Sequence, residues 1–333
     1  MTKEQFLELR LNNQYLLQAV PRLQVVKNTC GLQAQFFNYP RHTLRIRAIE
    51  KDNDWTSGLI KAWALRGTIH LIDPNDYALF MSVKSDTTYF DSWFSKHDID
   101  YYGGMILECI NKGINQKKEI AECVRQHFED DKKFEYAFSG WGGLFYMLAN
   151  RGKIIFDSVT TRGFIPAPKF QKIDYDQAML TLLKRYFDFY SPATLDDCAS
   201  FFLTPKTQIK KYIKELNLYE FYYRDKVYYT NTFDCESTSI PKIIFLAGFD
   251  PMLIGYKDRN SVIEKQYYRG VFTTTGLILP SIMFNGQIIA KWKENDKDII
   301  ITPFFKFDSY IKTLIEDYVQ DTFNKTSVFI MII

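Results

Sequence analysis

The segment Tyr175–Tyr229 most narrows what this 333-residue chain can fold into. Tyr175–Tyr190 reads as a helix, and Ser191-Pro192-Ala193-Thr194 caps a short helix to about Phe202. Thr204-Pro205 opens another, Lys206–Leu216, carrying Lys206, Lys210, Lys211 and Lys214. Leu218–Tyr223, the turn Arg224-Asp225-Lys226 and Val227–Tyr229 then read as a hairpin. Helix, turn, basic helix, hairpin is the winged-helix plan, in which the second helix commonly enters a DNA groove. Lysines four apart equally make a solvated helix face, and many winged helices serve only protein contacts.

The order of short helices followed by β-structure recurs upstream. Thr2 with Gln5 reads as a capping box, and Phe6, Leu9, Leu16 and Leu17 fall on one helix face closed by Pro21. A short helix to about Cys30 is broken by Gly31, Pro40 precedes a helix from Thr43 to about Glu50, and a further helix is expected over Trp55–Trp63. Leu65–Ile72 alternates as a strand ended by Asp73-Pro74. Tyr77–Asn150 is expected to be helical, with capped segments at Asn115–Phe128 and Glu135–Asn150, before a hairpin made by Lys153–Phe156 and Gly163–Pro166.

From Pro241 the pattern changes to short strands, at Ile243–Leu246, Gly276–Leu279, Ser281–Phe284, Gln287–Ala290 and Ile299–Thr302. Asn285-Gly286 is a strong hairpin turn. A helix over about Ser309–Asn324 and a terminal strand within Val328–Ile333 complete the chain. The expected fold is α+β: tandem winged-helix units over residues 1–85, 86–172 and 173–236, then an antiparallel β-barrel-like domain over 237–333.

Composition removes several function classes. Forty-two Lys and Arg against 39 Asp and Glu give a net charge of only +3, so a polyanion would meet a local patch. The five cysteines contain no Cys-x-x-Cys pair, as expected of reduced thiols in a cytoplasmic protein. His42, His70, His97 and His127 lie too far apart for a metal-binding spacing. The chain lacks a Walker A sequence, Gly-x-Gly-x-x-Gly, Gly-x-Ser-x-Gly, a signal-peptide pattern and an apolar run of membrane length. The expectation is a chain with no metal, cofactor, nucleotide or membrane partner.

Gly31-Leu32-Gln33-Ala34-Gln35 places two amides two residues apart. On extended backbone both would point to one side. An amide offers donors and an acceptor without charge, so the pair suits holding a water or a polar substrate edge, not strong acid–base work.

These residues meet a known family. Gly31–Gln35 resembles the Gln-x-Gln motif of the AlkZ/YcaQ-like winged-helix proteins, bacterial DNA glycosylases acting on alkylated bases and interstrand crosslinks. Arg66-Gly67-Thr68-Ile69-His70-Leu71 resembles a second marker, and Gly140-Trp141-Gly142-Gly143 with Asn150-Arg151-Gly152 is similar to the middle unit. Tyr190-Ser191-Pro192-Ala193-Thr194 resembles the opening of the third, where the family more often has Gly-Pro-Ala. Phe249–Gly255 with Arg259, and Asn285-Gly286 leading to Trp292, look like the carboxy-terminal barrel.

The resemblance implies tandem winged helices around a DNA-binding cleft, with Gln33 and Gln35 flanking the hydrolysed glycosidic bond. Gln35, where YcaQ-like proteins commonly carry Asp, places the chain nearer the AlkZ-like kind. An N7-alkylated purine already carries positive charge, so its departure needs little protonation, and uncharged amides suffice to place a water.

Thr68 and His70 are expected on one strand face, where His70 either supports this chemistry or is a buried histidine satisfied by backbone. Arg41, Arg45, Arg47, Lys206, Lys210, Lys211 and Arg224 are candidate phosphate contacts to double-stranded DNA. The expected protein is a monomeric, monofunctional glycosylase. A non-catalytic DNA-binding protein such as a transcriptional regulator, or a protein-interaction module, is the alternative.

Overall fold

A computed structural model describes residues 1–51, 54–85, 92–140, 143–158, 162–235, 240–325 and 327–331. Two units divide the chain, neither continuous in sequence. Cys30–Phe37 and Asn53–Leu182 form a central unit, and Met1–Thr29, Asn38–Asp52 and Leu183–Ile333 form a terminal unit.

The central unit carries a three-stranded antiparallel sheet of β1 (Leu32–Gln33), β2 (Ile60–Trp63) and β3 (Ile69–Ile72), in the order β1-β3-β2. Gly31 admits β1 to this sheet. Its φ is +85°, and a Cβ there would stand 3.0 Å from Ile72 Cγ2 and 3.4 Å from the Leu71 carbonyl oxygen. The helix expected over Trp55–Trp63 is instead a turn followed by β2. Gly58, at φ +74°, breaks any helix there, and Ala62 and Trp63 gain burial by pairing with His70 and Ile69. Likewise Leu65–Gly67 is a 3-10 turn, and the strand starts only at Ile69.

The rest of the central unit is mainly helical: Tyr77–Ser82, Lys96–Asn111, Lys117–Val124, Asp131–Ala137 and Gly143–Asn150. The antiparallel hairpin of β4 (Ile154–Phe156) and β5 (Phe164–Pro166) follows. The helix expected across Glu135–Asn150 is two helices, and Trp141 and Gly142 of the quoted motif lie outside the described residues. Ile106, Ile120, Leu144, Phe145 and Ile154 form a solvent-free core, into which Trp63 carries β2 by stacking on Phe164.

In the terminal unit, Lys3–Asn13 opens on the Thr2/Gln5 capping box. The helix placed at Thr43–Glu50 is observed at Asn38–Arg45. Pro40 falls in its first turn, where a missing N–H loses no intrahelical bond. The later part of Tyr175–Tyr190, then Leu195–Phe202 and Lys206–Ile213, lead to a hairpin of β6 (Tyr219–Tyr223) and β7 (Lys226–Thr230). Arg224 and Asp225 both take positive φ (48° and 61°), the geometry that a two-residue hairpin turn requires.

The last strands are β8 (Ile243–Leu246), β9 (Ser281–Phe284), β10 (Gln287–Glu294), β11 (Ile299–Pro303) and β12 (Val328–Ile330). They pair in the order β12-β11-β10-β9-β8. Among the described residues this is an open sheet rather than the expected antiparallel barrel. β12 joins β11 in parallel after the crossover helix Ser309–Phe323, so β8 and β12 remain edges. Gly276–Leu279, expected as a strand, makes only an isolated bridge from Ile278 to Phe272. Of the expected terminal strand, Ile332 and Ile333 lie outside the described residues.

Candidate active site

The Gln-x-Gln stretch is built into the central sheet. Gln33 on β1 lies directly across from His70 on β3, while Leu32 faces Leu71. Directly opposed residues in an antiparallel pair project side chains to the same face. The Ala34 N–H continues the pairing by donating to the Ile69 carbonyl at 2.8 Å. Gln33 is partly buried, whereas Gln35 sits on an exposed bend just beyond the strand.

His70 is fully buried. Its Nδ1 lies 3.0 Å from the Thr68 carbonyl oxygen, and its Nε2 lies 3.2 Å from Arg66 Nη2. A guanidinium cannot accept a hydrogen bond. The proton therefore sits on Nδ1 and is donated to Thr68, while bare Nε2 accepts from Arg66. Burial first, and the Arg66 charge second, push the imidazole down to about 3. His70 is thus a neutral acceptor that orients Arg66, and backbone satisfies its other nitrogen.

Arg66 completes the cluster. Its Nη2 also lies 3.5 Å from Gln33 Oε1, a long contact that turns the amide oxygen toward the cation. Its backbone is left-handed at φ 55°, and Gly67 follows at 65°. A non-glycine residue held there is a strained position of the kind that clusters at functional sites. The Thr68 hydroxyl donates to the Leu65 carbonyl at 3.2 Å and closes this turn, which gives it a bracing role. Close by, Lys84 Nζ donates to the Trp63 carbonyl at 2.7 Å, and burial pushes its ammonium down to about 7.

The structure thus brings Gln33, Thr68 and His70 together. Arg66, which the sequence presented only as part of a motif, is the residue that links them. Its signal was an Arg-Gly pair between two runs of β-formers, four residues before a histidine.

The candidate DNA contacts, all in the terminal unit, fare differently. Arg47 is fully buried: Nη1 and Nη2 donate to Asp250 at 3.0 and 2.7 Å, and Nε donates to the Gln14 carbonyl at 3.0 Å. It has no surface to offer a phosphate, and that expectation is corrected. Arg45 is half-buried over Phe323 and 3.6 Å from Glu294. Arg41, Lys210 and Lys211 are exposed, Lys206 pairs with Asp196 at 2.6 Å, and exposed Arg224 lies over Tyr223. Among the described residues no cluster of His, Cys, Asp and Glu is arranged to hold a metal, and no helix is long and apolar enough to cross a membrane.

Fold and site together define an α+β protein whose candidate site joins an amide, a guanidinium and a neutral imidazole. The family model for AlkZ-like DNA glycosylases matches residues 26–298, and the chain belongs to that family. It is similar to an interstrand DNA cross-link repair glycosylase from Streptomyces sahachiroi, with 26% identity over 337 residues, covering 89% of this chain and 88% of the relative. The solved structure of the Streptomyces sahachiroi DNA glycosylase AlkZ shares the fold at a TM-score of 0.81 and 21% identity, with 100% of each chain covered.

Proposed function

We propose that this protein is a monomeric, monofunctional DNA glycosylase acting in the cytoplasm. It hydrolyses the N-glycosidic bond of cationic N7-alkylated purines in double-stranded DNA, including purines joined in an interstrand crosslink. Family membership supports the reaction class. The observation that carries the chemistry is Gln33 held opposite a neutral His70 and beside Arg66.

This arrangement suits a base that needs no proton to leave. When the C1′–N9 bond of an N7-alkylpurine breaks, the electron pair neutralises the positive base. A water oxygen then adds to the oxocarbenium-like C1′ and releases its proton to solvent. The Gln33 amide oxygen has two lone pairs. One faces Arg66, and the other is left to accept a hydrogen from that water. Gln35 supplies a second amide from the exposed bend. Neither residue is acidic enough to drive off an uncharged base, so substrate choice follows from the chemistry of the leaving group.

In this reading the segments 1–85, 86–172 and 173–236 act as winged-helix units that hold the duplex, and the sheet of 237–333 supports them. The test is base release from duplexes carrying N7-methylguanine or a nitrogen-mustard crosslink. Duplex binding with no release from any cationic lesion would favour a non-catalytic DNA-binding protein instead.

A further inference from the structure

Arg10 has an environment that the chemistry at Gln33 does not use. It is 4% exposed. Its Nε donates to the Pro192 carbonyl at 3.0 Å, and its guanidinium lies 3.7 Å above the Tyr256 ring and 4.6 Å from the Phe6 ring. Its two terminal nitrogens meet no acceptor among the described residues, and Arg10 lines a cleft of about 770 Å³. A buried cation is unfavourable unless a counter-charge meets it; Asp258 feels the Arg10 charge but bonds Lys226 instead, so the guanidinium fork is left to meet an anion from outside.

The carboxylates of the cleft are already engaged. Asp197 accepts from the Thr194 N–H and hydroxyl and from the Lys257 N–H. Asp196 pairs with Lys206, and Asp258 pairs with Lys226 and caps Asn260. Among the described lining residues this leaves the Arg10 fork, Lys210 and Lys257 without an ion-pair partner, against Asp225 at the hairpin tip and Asp197, whose donors are uncharged. The cleft is bounded by Lys206–Ile213 and by the β6–β7 hairpin.

We infer that this cleft is a phosphate-binding site that takes a backbone phosphodiester of duplex DNA, with Arg10 as its fixed fork and Lys210 and Lys257 as flanking charges. A planar guanidinium locked on an aromatic ring matches two phosphate oxygens at once. The lysines add charge without fixed geometry. The inference rests on the duplex-binding part of the function proposed above, not on the cleavage chemistry.

The test measures affinity for an undamaged duplex across a salt series in the full-length protein. Lys210→Glu and Lys257→Glu lie on the surface and leave the fold intact, Arg10→Met removes the fork, and Lys312→Glu on the Ser309–Phe323 helix controls for net charge. Each cleft variant is expected to weaken binding about tenfold and to lower the slope of log K against log salt by about 0.9, one phosphate contact, relative to the control. Cleft variants that match the control in affinity and slope overturn the site. Inorganic phosphate, titrated by thermal shift, separates the sources: stabilisation lost in the variants while duplex binding is unchanged assigns the cleft to the free anion and overturns the backbone reading. Base release is scored on the same preparations. Wild-type protein with the expected slopes but no release fails the glycosylase reading alone, and normal release with unchanged slopes fails this inference alone.

Discussion

Gln33 and His70 stand directly opposite one another on β1 and β3, and Arg66 reaches both, at 3.5 Å from the amide oxygen and 3.2 Å from the imidazole Nε2. The imidazole, bonded to backbone on its other side, is a fixed support for a guanidinium that in turn contacts the Gln33 amide. Positioning of Gln33 therefore depends on Arg66 more than on any acid or base.

Replacing Arg66 separates this role from its backbone strain. Arg66→Ala should lower kcat for base release on the order of 10²-fold, the scale of losing one oriented donor. Arg66→Gly should lose activity equally while gaining up to about 1 kcal/mol of stability, because glycine accepts the observed φ of 55° without strain. Single-turnover kinetics beside urea unfolding read both. A fully active Arg66→Gly variant would show that the side chain positions nothing.

The two buried histidines make the fold less stable as pH falls. The structure holds His70 and His42 neutral, pushed down to about 3 and about 4 from 6.5 chiefly by burial. Below pH 6.5 the unfolded chain binds more protons than the folded one, so stability rises with pH over this range and is lost as pH falls from about 6.5 toward 4. Each group contributes a slope of up to about 1.4 kcal/mol per pH unit. Urea unfolding at pH 7, 6 and 5 should show this loss, with a shallower slope in His42→Gln. Single-turnover base release should show no inflection near pH 6.5 from His70.

Arg47 and Asp250 form a fully buried pair, and Asp250 also caps the Met252 N–H at 2.9 Å. Removing one partner by Arg47→Ala or Asp250→Ala should destabilise the fold by about 3–5 kcal/mol by leaving the other charge unpaired. The double variant Arg47→Met/Asp250→Leu should recover part of that loss. Denaturation midpoints decide it, and full stability in either single variant would contradict the pairing.

That pair also shows where sequence reading reaches its limit. Local signals were legible because local physics sets them: the Thr2 capping box, the β6–β7 hairpin with its turn at Arg224-Asp225, and the strands flanking Asn285-Gly286. Arg47 reads as a surface charge because its partner lies 203 residues away. Ile60–Trp63 reads as helix because only pairing with β3 makes it a strand. Arg66 was invisible as a site residue because its contact to Gln33 spans 33 positions and depends on a left-handed turn. The parallel return of β12, which keeps the last sheet open, likewise depends on a crossover that strand patterns do not encode.

In the proposed reaction Gln33 and Gln35 place the water that adds to C1′ as the cationic base departs. Its most direct test is single-turnover release of N7-methylguanine from a defined duplex by wild type, Gln33→Ala and Gln35→Ala, with duplex affinity measured on the same preparations. The account predicts release by wild type, a fall of about 10²-fold or more in each variant, and duplex affinity within about threefold of wild type, a difference of less than about 0.7 kcal/mol. Variants that release the base at the wild-type rate while bound to the duplex would contradict it.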